Sequence, residues 1–284
     1  MKRVLRWTAI GLVSIVVLAC LVVYGGSEYR RRQTFDIAAT PIIIPADFAS
    51  RAHGQQVYAT RGCEGCHGEG MQGKVFFDEK NIARLVAPNV PKVMRGYTDA
   101  DLERVLRHGV RPNGRGVAVM PASMFYNLDD QDVGALIAYL RSLPVKPDTL
   151  PRTELRILAR VGLLTGQYKL EPLNITHDAP RPPKGPDPAA LGRYTAMSSC
   201  TECHGMKLEG SPDTPALSIV AGYSAAEFAK LMRDGVPRDG RKLGLMGSVA
   251  RSRFSHFTDE EVAALYAYLS KQIAPTIATA KPAA

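Results

Sequence analysis

Apolar positions follow three patterns along this chain. Trp7 to Tyr24 is a single apolar run of eighteen residues, interrupted only by Thr8, Gly11 and Ser14. As a helix it spans about 27 Å, close to the roughly 30 Å hydrocarbon core of a bilayer. Further on, apolar residues recur at helical spacing: Leu102, Val105 and Leu106; Val133, Leu136, Ile137 and Leu140; Phe228, Leu231 and Met232; Val262, Leu265, Tyr266 and Leu269. From 144 to 188 the chain is proline-rich and mostly without period, apart from a short helical candidate at Leu155 to Leu164. Strand-like alternation is absent, so the expected fold class is all-α.

Local signals place the helix ends. Thr98 with Asp101, and Ser224 with Glu227, have capping-box spacing, and Gly109 and Gly235 follow as stops. The last helices start at Asp129 and Thr258. First helices are expected over about 46–60 and over 188–197, the latter with Asp187 as N-cap and Pro188 in the first turn.

These segments form one internal repeat. Gly96-Tyr97-Thr98 corresponds to Gly222-Tyr223-Ser224, and Arg107-His108-Gly109-Val110 to Arg233-Asp234-Gly235-Val236. Ala138-Tyr139-Leu140 corresponds to Ala267-Tyr268-Leu269, and Met120 to Met246, each methionine 24 residues after the glycine of the Gly-Tyr pair. The expected organisation is a membrane segment at 1–25, a linker at 26–45, a first domain at 46–144, a proline-rich linker at 145–186, a second domain at 187–273 and a disordered tail at 274–284. Pro180 to Pro188 reads as an extended spacer.

The formal charge of +9 changes the picture little. Lys2, Arg3, Arg6, Arg30, Arg31 and Arg32, less Glu28, place +5 beside the apolar run and leave +4 for the rest. Bases flanking a span account for the excess. No basic stripe is interleaved with aromatics, so nucleic acid is not an expected partner.

The cysteines carry the chemistry. Four of the five form two pairs, Cys63-Glu64-Gly65-Cys66-His67 and Cys200-Thr201-Glu202-Cys203-His204. Cys-x-x-Cys-His is the signature of c-type haem attachment. Thiols three residues apart on one helical turn can each form a thioether to a vinyl group, and the adjacent histidine lies under the iron as a neutral ligand. A zinc site needs four ligands and each motif clusters three; a dithiol redox motif does not require the histidine. The expected cofactors are therefore two covalently bound haem c groups, with Cys63, Cys66, Cys200 and Cys203 as attachment points and His67 and His204 as iron ligands. Met120, before Pro121, and Met246 are the candidate sixth ligands, with Met124 and His256 as their local rivals. His108 ends a helix, where a positive charge is favourable.

The fifth cysteine, Cys20, closes Val17-Leu18-Ala19-Cys20, which resembles a lipoprotein processing box, although Leu21 to Val23 continue the apolar run. An uncleaved signal-anchor is the expected reading. Haem attachment of this type occurs outside the bacterial cytoplasmic membrane, so residues 1–6 are expected in the cytoplasm and the haem domains in the periplasm.

Together these residues resemble class I cytochromes c over roughly 46–144 and 187–273. Ala87-Pro88-Asn89, Leu106-Arg107-His108-Gly109-Val110, Met120-Pro121 and Ala138-Tyr139-Leu140-Arg141-Ser142-Leu143-Pro144 are similar to the cytochrome subunits of membrane-bound alcohol and gluconate dehydrogenases. Those subunits usually carry three haem motifs, against two in this chain. The resemblance implies an electron carrier without substrate chemistry of its own. Its implied partners are a membrane dehydrogenase, a quinol-oxidising complex or a terminal oxidase. A dihaem enzyme of peroxidase or thiosulfate-oxidising type, with one open or unusual iron position, is the competing reading.

Overall fold

In a computed structural model, residues 1–272 are described; the tail expected at 274–284 lies outside them. Helix α1 (Lys2–Arg31) is long and apolar enough to cross a membrane, and none of its apolar window is buried against the protein. The first repeat contains α2 (Phe48–Arg61), α3 (Cys63–His67), α4 (Val90–Val93), α5 (Asp99–His108), α6 (Ala122–Phe125) and α7 (Asp130–Ser142). The intervening chain forms α8 (Ile157–Thr165). The second repeat contains α9 (Pro188–Ser199), α10 (Thr201–His204), α11 (Ala225–Asp234), α12 (Leu245–Ser252) and α13 (Asp259–Leu269).

Helix ends follow the local chemistry. Thr98/Asp101 and Ser224/Glu227 form reciprocal capping boxes, and Gly109 (φ 65°) and Gly235 (φ 69°) end those helices in the left-handed region. Asp129 caps α7, Asp187 caps α9 and Thr258 caps α13. In each repeat the first and last helices cross at a glycine. A Cβ on Gly54 would lie 2.0 Å from the Ala135 carbonyl oxygen, and one on Gly192 would lie 2.1 Å from that of Ala264. Only glycine permits so close an approach of two backbones.

Three strands add to the helices: β1 (Lys74–Glu79), β2 (Ala83–Ala87) and β3 (Glu154–Leu155), antiparallel in that order. The fold remains mostly helical, but strands are not absent. The sequence Lys-Val-Phe-Phe-Asp-Glu of β1 has no strict alternation, and its pairing contains a bulge between Val75 and Phe77. Strand β3 is two residues long and pairs with a partner about seventy positions away. Neither offers a period-two signal.

The proline-rich linker is not a free spacer along most of its length. It runs back over the first domain and supplies Leu155, Leu163 and Leu170 to a small core with Ala83. Tyr168 donates to the Ala118 carbonyl (2.8 Å), and Ser123 donates through its backbone N–H and hydroxyl to Glu171 (3.1 and 3.2 Å). His177 donates from Nε2 to the Pro172 carbonyl (3.0 Å), so its Nδ1 accepts from His108 Nδ1 at 2.8 Å. His108 is buried, and burial with His177 and Arg107 pushes it down to about 4. It is thus held neutral, where the helix end alone favoured a charge.

The two domains share an interface. Tyr194 of α9 is buried in the core of the first domain, and its hydroxyl donates to Asp132 of α7. Asp132 also meets His53 Nε2 (2.6 Å) and Lys184 Nζ (2.5 Å). Asn127 donates to the Met197 carbonyl (3.2 Å), and Arg61 donates to the Ser198 hydroxyl (3.0 Å).

Candidate cofactor sites

Helix α2 ends at Gly62, whose φ of 68° turns the chain directly into α3 and presents Cys63, Cys66 and His67. All three line a cavity of about 430 Å³. His67 Nδ1 lies 3.1 Å from the Pro88 carbonyl oxygen, and His204 Nδ1 lies 2.8 Å from that of Pro215. A carbonyl can only accept, so each Nδ1 carries the proton and each Nε2 keeps its lone pair. Burial outweighs that bond in both rings and shifts them toward the neutral form that ligates metal.

The backbone after each motif also repeats. Gly73 donates to the His67 carbonyl (2.7 Å), and Gly210 donates to that of His204 (2.8 Å). Between them Met71 (φ 62°) and Leu208 (φ 60°) hold a left-handed conformation without being glycine. Such conformations cost energy and persist only where the surroundings impose them. The equal spacing of Gly68 with Gly73 and of Gly205 with Gly210 is visible in the sequence, and it signals this loop.

Among the candidate sixth ligands, Met120 lies on the loop before α6 and lines the cavity with Cys63, Cys66 and His67. Its rival Met124 is fully buried in the core and does not line the cavity. In the second domain Met246 lies in the first turn of α12, half-buried against the core cluster that contains Cys200. His256 is exposed. Cys200 is buried and Cys203 exposed, while Cys63 and Cys66 are both partly covered. Burial pushes the Cys63 and Cys200 thiols up to about 12.

Charged side chains from distant parts of the chain line the cavity. Beside Cys63 and Cys66 it is closed by the second domain: Arg253 lies against Gly62 and donates to Glu202 at 3.0 Å, and both side chains line the cavity. It is also lined by Arg31, Arg111 and Arg115. Arg115 is fixed by a bridge to Thr34, on the segment leaving α1. Burial, with Arg31 and Arg115 nearby and Tyr97 opposing, depresses the Arg111 guanidinium below its ordinary value. Among the described residues Arg111 and Arg115 have no carboxylate within ion-pair distance. Sequence reading missed both groups, because no local pattern ties Arg31 or Arg253 to Cys63.

This arrangement fits a haem. One edge of the porphyrin bears the vinyl groups and the opposite edge bears two carboxylates. The cavity is lined by the paired thiols, by the Arg111 and Arg115 guanidiniums and by apolar residues that include Leu102, Leu106 and Phe125.

A mostly helical domain built twice around a Cys-x-x-Cys-His helix defines a c-type haem protein. The chain belongs to the cytochrome c family, whose model matches residues 51–144 and 189–272, and it carries two covalently bound haem c groups. It is similar to the fructose dehydrogenase cytochrome subunit of Gluconobacter japonicus, with 23% identity over 90% of this chain and 58% of that protein. It is also similar to a diheme cytochrome c-type of Cereibacter sphaeroides, with 24% identity over 84% of this chain and 91% of that protein. A third relative is the alcohol dehydrogenase (quinone) cytochrome c subunit of Gluconacetobacter polyoxogenes, with 26% identity over 84% of this chain and 61% of that protein. The chain thus spans 58% and 61% of the lengths of the two dehydrogenase subunits.

Proposed function

We propose that this chain is a membrane-anchored dihaem electron-transfer protein. It accepts electrons on the periplasmic side from a dehydrogenase or a quinol-oxidising donor and passes them to a terminal acceptor. Helix α1 is its anchor at the bacterial cytoplasmic membrane. Cys63 and Cys66 would hold one haem and Cys200 and Cys203 the other, with His67 and Met120, and His204 and Met246, as the residues that would ligate iron. The haem supplies a one-electron couple when bound.

The observation that carries this reading is the shared cavity of Cys63, Cys66, His67 and Met120. The residues act by positioning and by setting the surroundings. The Pro88 and Pro215 carbonyls fix the tautomer and ring orientation of the two histidines. The Arg111 and Arg115 guanidiniums would pair with haem carboxylates. Apolar walls exclude water and, with a thioether ligand, favour the reduced state. With two protein ligands at each iron, no position would remain for a substrate. A tether raises the effective concentration of membrane partners, in line with relatives named as dehydrogenase subunits.

The test replaces Met120 and Met246 by Ala, singly and together, and records the sulfur-to-iron band in the oxidised optical spectrum. Each single variant should lose about half of the band and the double variant all of it, since one thioether ligand per haem produces it. An unchanged band in Met246→Ala would mean another ligand at the second haem and would favour the dihaem enzyme reading. Detergent purification of the native protein, with identification of whatever co-migrates, distinguishes a free carrier from a permanent subunit.

A further inference from the structure

We propose that α8, in the linker between the two domains, is a second membrane-contact element that lies in the headgroup region beside the end of α1. The proposal rests on the reading of α1 as a membrane span.

One face of α8 is committed to the protein, through buried Leu163 and Gly162 with Ala159 alongside. The opposite face is apolar and open: Ile157 is 43% exposed, Leu158 55% and Val161 37%. At 100° per residue these three and Leu164 fall within an arc of about 120°. Leu164, at the end of that stripe, lies against α1, where a Cβ on Gly26 would stand 2.8 Å from Leu164 Cδ2. The open stripe of α8 therefore runs directly onto the surface of the helix that enters the bilayer.

The contact also fixes a depth. Arg160 stacks over the Tyr24 ring at 4.8 Å and donates to the Ser27 hydroxyl at 2.9 Å, and Ser27 is fully buried. Tyr24 is the last residue of the apolar run, which is about as long as the hydrocarbon core is thick. Residues 24–27 then lie at the headgroup level, and α8 lies there with them. Arginine and tyrosine suit that layer, with apolar stems or rings below and polar ends above.

Charge points to the same occupant. Residues 154–171 hold Arg156, Arg160 and Lys169 against Glu154 and Glu171, and Arg30, Arg31 and Arg32 stand with Glu28 at the adjoining end of α1, a net charge of +3 for the two segments. A short helix with an apolar outer face and basic flanks binds the boundary between headgroups and acyl chains, more firmly when the lipid is anionic. A second copy of this chain or another protein would have to reach the stripe in the layer that lipid already fills.

The experiment uses the full haem-loaded chain in vesicles of phosphatidylethanolamine and phosphatidylglycerol. Benzoylphenylalanine is placed singly at Leu12 in the span, at Leu158 and Val161 on the stripe, and at Leu245, which is 73% exposed in the second domain. After irradiation, adducts are identified by mass spectrometry. Lipid adducts at 12, 158 and 161, absent at 245, are expected. Lipid adducts at 12 with none at 158 and 161, or with adducts there to a second protein chain, overturn the proposal and leave the span intact. Absence of lipid adducts at 12 overturns the span, and the proposal with it.

Discussion

Replacing Gly54 by Ala adds one methyl group at the tightest helix crossing of the first domain. That carbon would stand 2.0 Å from the Ala135 carbonyl oxygen, 2.5 Å from its carbonyl carbon and 2.9 Å from Tyr139 Cβ. Real Cβ contacts stay beyond 3.0 Å, so α2 and α7 must part by at least 1.0 Å. The obstacle is mainly backbone, which cannot rotate away. Overpacking of this kind costs about 1–3 kcal/mol, and a fixed obstacle puts this site near about 3. The better helix propensity of Ala returns about 1 kcal/mol, leaving a net loss of about 2 kcal/mol. For a chain of this size that lowers the melting temperature by about 4–8 °C. Thermal unfolding of the oxidised full-length protein in detergent, followed by far-ultraviolet circular dichroism, measures it. Gly192→Ala, 2.1 Å from the Ala264 oxygen, should behave alike, and Gly185→Ala, with nothing within 4 Å, should not. Helix α2 runs into Cys63, so the sulfur-to-iron band of the first haem should weaken in Gly54→Ala as well. A variant that melts at or above the parent temperature would refute the crossing as described.

Two further outcomes follow from buried charge. Asp132 is 1% exposed and, although burial acts to raise it, His53, Lys184 and Arg61 hold its carboxyl well below the ordinary range. Its contribution is present above the unfolded value of about 4 and is lost as pH falls toward the folded value. Asp132→Asn should cost about 3–5 kcal/mol at neutral pH, and urea titrations from pH 7 to 3 should show a flatter acid limb; an unaltered limb argues against the network. His108, pushed down to about 4 by burial, His177 and Arg107, has the Glu103 carboxylate 3.8 Å from its Nε2. The unfolded state binds a proton that the folded state refuses between about 6.5 and 4, so up to about 3 kcal/mol of stability is lost across that window as pH falls. His108→Leu should remove that slope, and a slope that persists in the variant would assign it elsewhere.

Local chemistry made the helical skeleton legible. Capping boxes at Thr98 and Ser224, stops at Gly109 and Gly235, and Asp187 before Pro188 each act within one turn, so the residues that decide them are adjacent in sequence. The cysteine pairs were legible for the same reason. In sequence only its proline set Met120 apart from Met124; in the fold Met120 lines the cavity and Met124 is buried in the core. What sequence could not yield depends on partners far along the chain. Strand β3 exists only because β2 pairs with it, and Tyr194 is a core residue of the other domain. Arg253 completes the wall beside Cys63 from nearly two hundred positions away. Pattern rules are blind to such pairings, since they score neighbours within a turn or a pleat.

The linker fastened along the first domain also bears on how the protein is made. A chain synthesised N-terminus first presents Cys63 and Cys66 before residues 154–184 that strap the domain, and well before Glu202 and Arg253 that close the cavity beside them. Glu202 and Arg253 lie 139 and 190 positions after Cys63. Joining a large flat ring to two thiols demands room, and the finished fold leaves those sulfurs partly covered. Late arrival of the cover would therefore leave those thiols open to the ring for longer.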